Sequence, residues 1–340
     1  MVPARERLMA DDLPSRAPSS VVDDDTIQPF EVAPLDLRGR QVRLGPSLDN
    51  ILGAHDYPLP VAKLLGEAVA LAILLGSSLK FEGRFILQTQ SDGPVGMLVV
   101  DFTAPGQVRA CARFNATAVE AAIAEGKTSP GQMMGKGHLA MTIDQGADMS
   151  RYQGLVAIEG GTLEDAAHEY FFRSEQIPTR VRLAVAEELI PGGDGVQHRW
   201  RAGGLILQFL PRSPDRARQR DLHPGDAPQG VAQHEIPEDE AWIEGRSLVE
   251  TVTDIELVDP DLSSEQLLYR LFHERGVRVF APQPIEARCT CSRESVESML
   301  KSFSQDDRDH MVEDGKISVT CEFCSSQYVF APDEVGANPG

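Results

Sequence analysis

The longest apolar stretch of the chain predicts a buried helix. Apolar residues recur between positions 61 and 75 with the i, i+3, i+4, i+7 spacing of one helix face, and Pro58 and Pro60 precede them. Lys63, Glu67 and Gly76 interrupt the stretch, so its uninterrupted part is too short to cross a bilayer. We therefore predict a central helix that packs on a sheet. Its apolar face is formed by Val61, Leu64, Leu65, Ala68, Leu71, Ala72 and Leu75.

Shorter runs of alternating apolar and polar residues predict the sheet itself. An early strand pair is indicated within residues 29–44, and a turn sequence, Ser-Asp-Gly-Pro, joins two runs into a hairpin. Two short helices are predicted, one at 116–124 and one that begins with a capping box at Thr162. Helices and strands mixed in this way predict an α/β domain. The strand-like runs after the early pair lie at 84–90, 96–103, 107–114, 137–145, 151–160, 180–188 and 200–210.

Shifts in composition divide the chain into five segments. Residues 1–25 lack apolar periodicity and are predicted to be a disordered tail, and residues 211–237 are predicted to be a flexible insertion. Between them, residues 26–210 form the core domain. A helical linker at 238–285 and a small cysteine domain at 286–335 follow. The predicted fold class is α+β, with an N-terminal mixed α/β sandwich, a helical linker and a C-terminal four-cysteine domain.

The linker segment is predicted to contain two amphipathic helices. The second begins with a capping box at Ser263 and Gln266. The first is indicated by the spacing of Trp242, Leu248, Val249, Val252 and Ile255, and the second by the apolar stripe of Leu267, Leu268, Leu271 and Phe272.

Charge and composition narrow the class of protein. The chain has 340 residues, a hydrophobic content of 41% and a formal net charge of -20. Such acidity disfavours nucleic acid as a partner, because phosphate binding needs Lys and Arg to displace counterions. The N-terminus has no apolar core of the kind a signal peptide requires, so we expect no membrane association and a cytoplasmic location.

Four of the five cysteines lie close together near the C-terminus. They form a Cys-x-Cys pair, Cys289 and Cys291, and a Cys-x-x-Cys pair, Cys321 and Cys324. Two such pairs can complete the tetrahedral four-thiolate shell of a structural Zn²⁺ site. Ordinary thiols or two structural disulfides are the alternatives, and permanent disulfides are rare in a reducing cytosol. We therefore predict one Zn²⁺ on these four residues.

The cysteine domain has few other means of staying folded. Val296, Met299, Leu300 and Phe303 have helical spacing, which predicts a helix over 295–303 between the two cysteine pairs. With so few apolar residues the metal must stabilise the domain, so its removal is expected to unfold it. Oxidants attack the same thiolates, which links oxidation chemically to metal release.

Other candidate residues are assigned structural roles. His273 and His310 could replace a thiolate, but four cysteines already complete the shell, so both are predicted to be surface residues. Cys111 lies in an apolar run and is predicted to be buried and inert. The sequence at 131–136 is too short for a phosphate loop, and His168 lacks the second histidine of a zinc protease helix. The sequence contains no recognisable catalytic or cofactor-binding constellation.

Several sequence motifs resemble those of one known family. The segments CTCSRE, CEFCSSQYVF, RYQGLVAIEGG, FFRSEQIPTRVRL and SSLKFEGRF occur in order and are similar to those of the heat shock protein 33 family of redox-regulated chaperones. The resemblance extends from about Asp24 to Val335. The N-terminal tail and the insertion at 211–237 depart from the family pattern. The resemblance implies an ATP-independent holdase and not an enzyme.

The resemblance also implies a mechanism. The reduced form would hold zinc on Cys289, Cys291, Cys321 and Cys324 and be inactive. Oxidation would release zinc, pair Cys289 with Cys291 and Cys321 with Cys324, and deprive the linker of its support, exposing a surface for unfolding client proteins. The oxidised form is expected to be a homodimer. Because a Cys-x-Cys disulfide closes a very small ring, we expect the Cys321 and Cys324 pair to oxidise first.

The apolar face of the linker is expected to pack against the zinc domain, through Trp242, Leu248, Val252, Leu268 and Phe272.

The cysteine pairs also allow two other functions. A constitutive adaptor with a purely structural zinc site is the alternative function. A thiol oxidoreductase using the Cys-x-x-Cys pair is disfavoured, because no thioredoxin-like βαβ pattern surrounds it.

Overall fold

The computed structural model describes residues 24–78, 83–145, 151–192, 195–211 and 238–336. The predicted tail, apart from its last two residues, and the predicted insertion, apart from its first, lie outside these ranges. The strands are β1 (Thr26–Val32), β2 (Leu37–Leu44), β3 (Arg84–Ser91), β4 (Val95–Thr103), β5 (Gln107–Phe114), β6 (Lys136–Asp144), β7 (Tyr152–Glu159), β8 (Thr179–Gly192), β9 (Gly195–Phe209), β10 (Arg278–Val279), β11 (Gln283–Pro284), β12 (Glu286–Ala287), β13 (Ile317–Thr320) and β14 (Gln327–Phe330). The α-helices are α1 (Pro46–Leu52), α2 (Leu59–Gly76), α3 (Ala116–Ala124), α4 (Pro130–Met134), α5 (Leu163–Tyr170), α6 (Glu240–Glu250), α7 (Asp254–Val258), α8 (Ser264–Phe272), α9 (Arg293–Lys301) and α10 (Gln305–His310).

Two six-stranded sheets form the body of the protein. The first sheet is antiparallel in the order β10-β1-β2-β9-β8, and β11 also pairs with β1. The second sheet has the order β12-β5-β4-β3-β6-β7 and is antiparallel except where β12 pairs with β5. The predicted strand runs are all present, and the α+β fold class is confirmed. Because β10, β11 and β12 come from residues after the linker helices, both sheets are completed by the segment that leads to the cysteines.

The predicted central helix is α2, which packs against strands of both sheets. Among the described helices it alone has the length and apolar character of a membrane span, yet 83% of it is buried inside the protein. Two glycines allow its close packing, since an added Cβ at Gly66 would lie 3.0 Å from Val185 and one at Gly76 would lie 2.5 Å from the Phe102 ring. The helix is therefore the centre of the main core, as its spacing predicts.

The first linker helix differs from its prediction. Residues 242–255 do not form one helix but two, α6 and α7, which are separated at Thr251 to Thr253. Thr253 caps α7 by accepting a hydrogen bond from the Glu256 backbone N–H, while the Glu256 carboxylate accepts one from the Thr253 N–H. This capping box starts a new helix where the apolar spacing alone suggests continuation. As a result Ile255 faces solvent, with 75% of its surface exposed.

The linker helices pack on the first sheet. The expectation that their apolar residues pack against the cysteine domain is wrong, because the buried residues of that domain form a separate cluster. The face of the first sheet that α2 leaves uncovered is broad and apolar, so it offers more area for burial than the small cysteine domain does. The sheet contributes Phe30, Val32, Leu37, Leu205, Leu207 and Phe209, and the linker contributes Trp242, Val249, Val252, Leu257, Leu267, Leu268, Leu271 and Phe272, with Leu248 partly buried against them.

The buried Arg43 and the partly buried Arg201 bind the segment between α7 and α8 to the first sheet. Arg43 on β2 donates hydrogen bonds to the carbonyl groups of Leu262 and of Asp259, the latter at 2.8 Å. Arg201 on β9 donates to the Val258 carbonyl at 2.8 Å and to the Asp24 carboxylate at 2.6 Å. Burial lowers the pKa of Arg43, and the nearby Asp24 opposes that shift. The linker is therefore held by polar contacts as well as by apolar burial.

Candidate metal centre

Local structure brings the two cysteine pairs together. Cys289 and Cys291 lie between β12 and α9, and Ser292 caps α9 by accepting a hydrogen bond from the Ser295 N–H. Cys321 and Cys324 lie in the turn of the β13–β14 hairpin, where the Ser325 N–H donates to the Cys321 carbonyl. A helix cap and a hairpin turn thus place the two cysteine pairs close together.

The four sulfur atoms have the separations of a tetrahedral metal site. All lie within 4.8 Å of one another. The Sγ atoms of Cys289 and Cys321 are 3.7 Å apart, and those of Cys291 and Cys324 are 3.3 Å apart. A Zn–S bond of about 2.3 Å in tetrahedral geometry requires sulfur separations of about 3.8 Å. All four cysteines are free thiols in this structure, so the donor set and its spacing fit a metal ion such as zinc.

Hydrogen bonds and burial make the thiols unequal. Burial and the neighbouring thiols raise the pKa of Cys291 to about 12, although the Tyr328 hydroxyl donates a hydrogen bond to its sulfur at 3.2 Å. Burial also opposes ionisation of Cys324, but polar contacts with Ser326 outweigh it and lower the pKa of Cys324 to about 6. A bound cation would favour the thiolate form of all four groups.

The cysteine domain has a very small apolar core. Val296 and Leu300 of α9 are buried, whereas Met299 and Phe303 of the predicted stripe are 43% and 40% exposed. Helix α9 ends at Lys301, so the predicted helix is confirmed only to that residue. A core of this size supplies little folding free energy, which leaves an important role for a metal. The core cluster consists of Val296, Leu300, Ile317, Phe330 and Val335, and Pro332 is also buried.

The histidines near the cysteines lie on the surface. His273 and His310 are exposed, and the Nδ1 atom of each lies close to a backbone carbonyl four residues earlier. Neither belongs to the group of residues that could hold a metal. His168 is also structural, because its Nε2 accepts a hydrogen bond from the Val181 N–H, and burial lowers its pKa to about 4.

The cysteine domain docks on β5 through two arginines whose role carries no signal in the sequence. Arg109 donates to Thr290 Oγ at 3.0 Å and lies 4.1 Å over the Phe323 ring, so it contacts a residue inside each cysteine motif. Arg113 forms two hydrogen bonds with the Glu322 carboxylate, at 2.6 and 2.7 Å. The spacing of these arginines in a strand is visible in the sequence, but their partners lie some 180 to 210 residues away.

The docking contact is polar and not fully packed. A cavity of about 40 Å³, room for about one water molecule, lies at this contact. Its lining includes Arg84, Arg109, Arg288 and Asp101, and Asp101 accepts hydrogen bonds from Arg109 at 2.6 and 2.9 Å. His55 Nδ1 lies 3.0 Å from Ser325 Oγ at the far side. Polar contacts of this kind can separate without exposing a large apolar surface.

Cys111 lies beneath the docked domain. It is buried, as predicted, while its neighbour Ala110 on β5 points into the core between the sheets. Burial is the main cause that raises the pKa of Cys111 to about 11, and the charge of Glu322 adds to the shift. The thiol is therefore protonated at neutral pH and is not reactive in this state.

Known proteins of one family are similar to this chain along nearly its whole length. The family model described as Hsp33 protein matches residues 25–331. The 33 kDa chaperonin of Caulobacter vibrioides is 46% identical over 319 residues, which cover 93% of this chain and 98% of that protein. The 33 kDa chaperonin of Pseudomonas aeruginosa is 36% identical over 313 residues, which cover 92% of this chain and 93% of that protein.

A solved structure has the same fold. The crystal structure of the 33 kDa chaperonin (heat shock protein 33 homolog) from Thermotoga maritima matches with a TM-score of 0.67 and 20% sequence identity, covering 92% of this chain and 97% of that one. The family model, the curated relatives and the four-cysteine centre thus define a chaperone class with a candidate metal site. The chain belongs to the Hsp33 family, and the resemblance seen in its motifs is confirmed.

Proposed function

We propose that this protein is an ATP-independent holdase chaperone that oxidation switches on, and that it acts in the cytoplasm on unfolding proteins. The reduced form, with Zn²⁺ held by Cys289, Cys291, Cys321 and Cys324, is inactive. The observation that carries the proposal is the convergence of four thiols in a domain whose apolar core is a cluster of five buried side chains. Zinc would supply the folding free energy that this small core lacks. The protein binds clients and is not an enzyme.

The switching step is a two-electron oxidation of each cysteine pair. Two thiolates lose two electrons and form one S–S bond, while one molecule of hydrogen peroxide accepts these electrons, takes two protons from solvent and becomes two molecules of water. We assign the disulfides to Cys289 with Cys291 and to Cys321 with Cys324. The smaller Cys-x-Cys ring favours oxidation of Cys321 and Cys324 first. Mapping disulfides by mass spectrometry during peroxide treatment tests this order, and early formation of the Cys289–Cys291 bond contradicts it.

Release of the linker is the step that would create the client site. The linker covers apolar residues of the first sheet, so its departure would expose Phe30, Leu37 and Leu207 together with its own buried side chains. The link between metal and linker is the segment 276–288, since β10, β11 and β12 lie there and pair with both sheets. Unfolding of the cysteine domain would free one end of this segment. Exposed apolar surface binds unfolding chains, and it would also favour a homodimer of the oxidised form.

The strong acidity is consistent with this activity. A chaperone that exposes apolar surface needs charge to remain dissolved, and a net charge of -20 supplies repulsion between copies. The same charge opposes binding to nucleic acid and to anionic membranes.

The proposal is tested by comparing reduced and peroxide-treated protein. Light scattering measures aggregation of a heat-unfolding client, and a chelating dye measures released zinc. We expect suppression of aggregation only after oxidation, together with release of about one zinc per chain. Cys111→Ser is the matched control for zinc release, which it should leave unchanged because Cys111 lies outside the four-cysteine group. Equal suppression in both states, or zinc retained throughout, would instead support a constitutive adaptor with a structural zinc site.

A further inference from the structure

The edge of β5 is covered by the segment that leads to the cysteines. Strand β12 contributes two residues, Glu286 and Ala287, which pair in parallel with Gln107 and Val108. The Glu286 N–H donates to the Gly106 carbonyl, and the Arg288 N–H donates to the Val108 carbonyl, both at 2.9 Å. Without β12, β5 would be the edge strand of the second sheet, with main-chain groups available to another extended chain.

The cysteine domain adds two side-chain contacts to this strand pairing. Glu322 places its carboxylate on Arg113, and Phe323 places its ring under the Arg109 guanidinium. Arg109, Cys111 and Arg113 share one face of β5, because side chains alternate along a strand. This face, defined as the β5 arginine face, therefore accepts a strand, a carboxylate and an aromatic ring at the same time.

We propose that the β5 arginine face is a second docking site for client chains, and that the cysteine domain occupies it in the closed state as a substitute for a client. The proposal rests on the function proposed above, since the domain must leave for the site to open. The partner is an extended segment of an unfolding protein with acidic and aromatic side chains. Strand addition to β5 would supply affinity, and Arg109 and Arg113 would select the side chains.

Charge complementarity favours this partner over other extended segments. When the domain leaves, Arg113 loses Glu322, while Arg109 keeps its contact with Asp101. The face then carries an excess of positive charge in a protein whose net charge is -20. Arg113 and Glu322 are 61% and 58% exposed, so the closed contact is weak and a client carboxylate could replace it. Acidic segments are repelled elsewhere on the surface and attracted here.

A binding experiment without oxidant tests the docking site separately from the redox switch. The probe is a labelled peptide of alternating Thr and Val that carries Glu and Phe, and its partner probe has Lys in place of Glu. The protein is the full chain with Cys321→Ser and Cys324→Ser in reducing buffer, so opening does not depend on peroxide. Fluorescence anisotropy measures binding, and hydrogen exchange measures protection of the main chain at 107–110.

The acidic probe should bind this open variant about tenfold more tightly than it binds the reduced wild-type protein. Adding Arg113→Glu should abolish that gain and shift the preference to the Lys probe. Arg173→Glu, a change at an arginine of similar exposure on another part of the surface, should have no effect. Residues 107–110 should lose protection in the open variant and regain it when the acidic probe binds.

A second variant addresses the closed state with all four cysteines intact. Glu322→Arg should open the face and increase binding of the acidic probe while zinc is retained, and combining it with Arg113→Glu should close the face again. Equal binding of the two probes, or no loss after Arg113→Glu, would overturn the proposal. So would unchanged protection of 107–110 in the open variant. A failure of peroxide to activate the wild-type protein would count against the redox switch alone.

Discussion

The linker should be released without any change at the metal centre if Gly203 is replaced by alanine. Gly203 lies on β9 beneath the end of α7, where the main chain of the linker touches the sheet. An added Cβ would lie 2.6 Å from the Leu257 carbonyl carbon and 2.9 Å from the Leu257 Cβ, and closer still to the carbonyl oxygen. Because carbon atoms pack at about 3.5–4.0 Å, the linker would have to move by about 1 Å.

The free-energy cost of this movement determines how much of the linker is released. Overpacking of a well-packed contact costs about 1–3 kcal/mol. The displaced main chain includes the Val258 carbonyl, which accepts a hydrogen bond from Arg201 at 2.8 Å. Since about 1.4 kcal/mol corresponds to a factor of ten, the released population of the reduced protein should rise roughly tenfold to a hundredfold. Aggregation suppression should then appear before oxidation, with zinc still bound.

Hydrogen exchange of residues 240–272 in the reduced Gly203→Ala protein is the direct assay. Those residues should exchange faster than in the wild-type protein, while α2 keeps its protection. Gly96→Ala is the matched control, because the nearest atom to its added Cβ is 3.8 Å away. Wild-type protection of the linker in a folded Gly203→Ala protein would refute the view that close packing on the first sheet holds the linker in place.

Three further predictions concern the rest of the structure. Chelation of zinc from the reduced protein should increase hydrogen exchange over 289–335 more than in the sheets, because a cluster of five buried apolar residues cannot hold the cysteine domain by itself. Equal exchange of residues 289–335 with and without metal would contradict this. Arg43→Leu should destabilise the linker contact by about 3–5 kcal/mol, since it leaves the carbonyls of Asp259 and Leu262 unpaired, and limited proteolysis of the reduced protein measures the effect. Burial raises the pKa of Glu67 to about 8, compared with about 4.3 for an unperturbed Glu. The negative charges of Glu164 and Asp254 add to this shift, and the positive charge of Lys63 opposes it. Between these values the folded protein binds a proton that the unfolded chain has lost, so stability falls as pH rises towards 8. Glu67→Gln should remove that fall and stabilise the protein by roughly 1–3 kcal/mol at pH 7.5. Denaturant unfolding from pH 5 to 8 measures the free energy of unfolding of both proteins. The same dependence of this free energy on pH in both proteins would contradict the prediction.

Local features of the structure are well predicted by the sequence. The spacing from Val61 to Leu75 identifies α2, and a turn sequence identifies the β3–β4 hairpin. The four cysteines are also recognised correctly as one group, because short motif spacing and thiol chemistry constrain where they can lie. Each of these inferences depends on residues close together in the chain or on one kind of side chain.

Contacts between distant segments were not predicted correctly. The apolar stripe that contains Trp242 and Phe272 shows which side of the linker is buried, but not which surface it meets, and that surface is the first sheet. Apolar spacing also continues through the capping box at Thr253, so it does not indicate the break between α6 and α7. Arg109 carries no local signal of its contact with Phe323. Partner choice depends on tertiary packing, which periodicity does not encode.

The central claim is that loss of the metal releases the linker from the first sheet. Time-resolved hydrogen exchange of the full chain during peroxide treatment, with zinc release followed in the same sample, tests it most directly. We predict that protection is lost first around the Cys321 and Cys324 turn, then over 276–288, and then over 240–272, while α2 stays protected. Zinc release with unchanged protection of residues 240–272 would contradict the account.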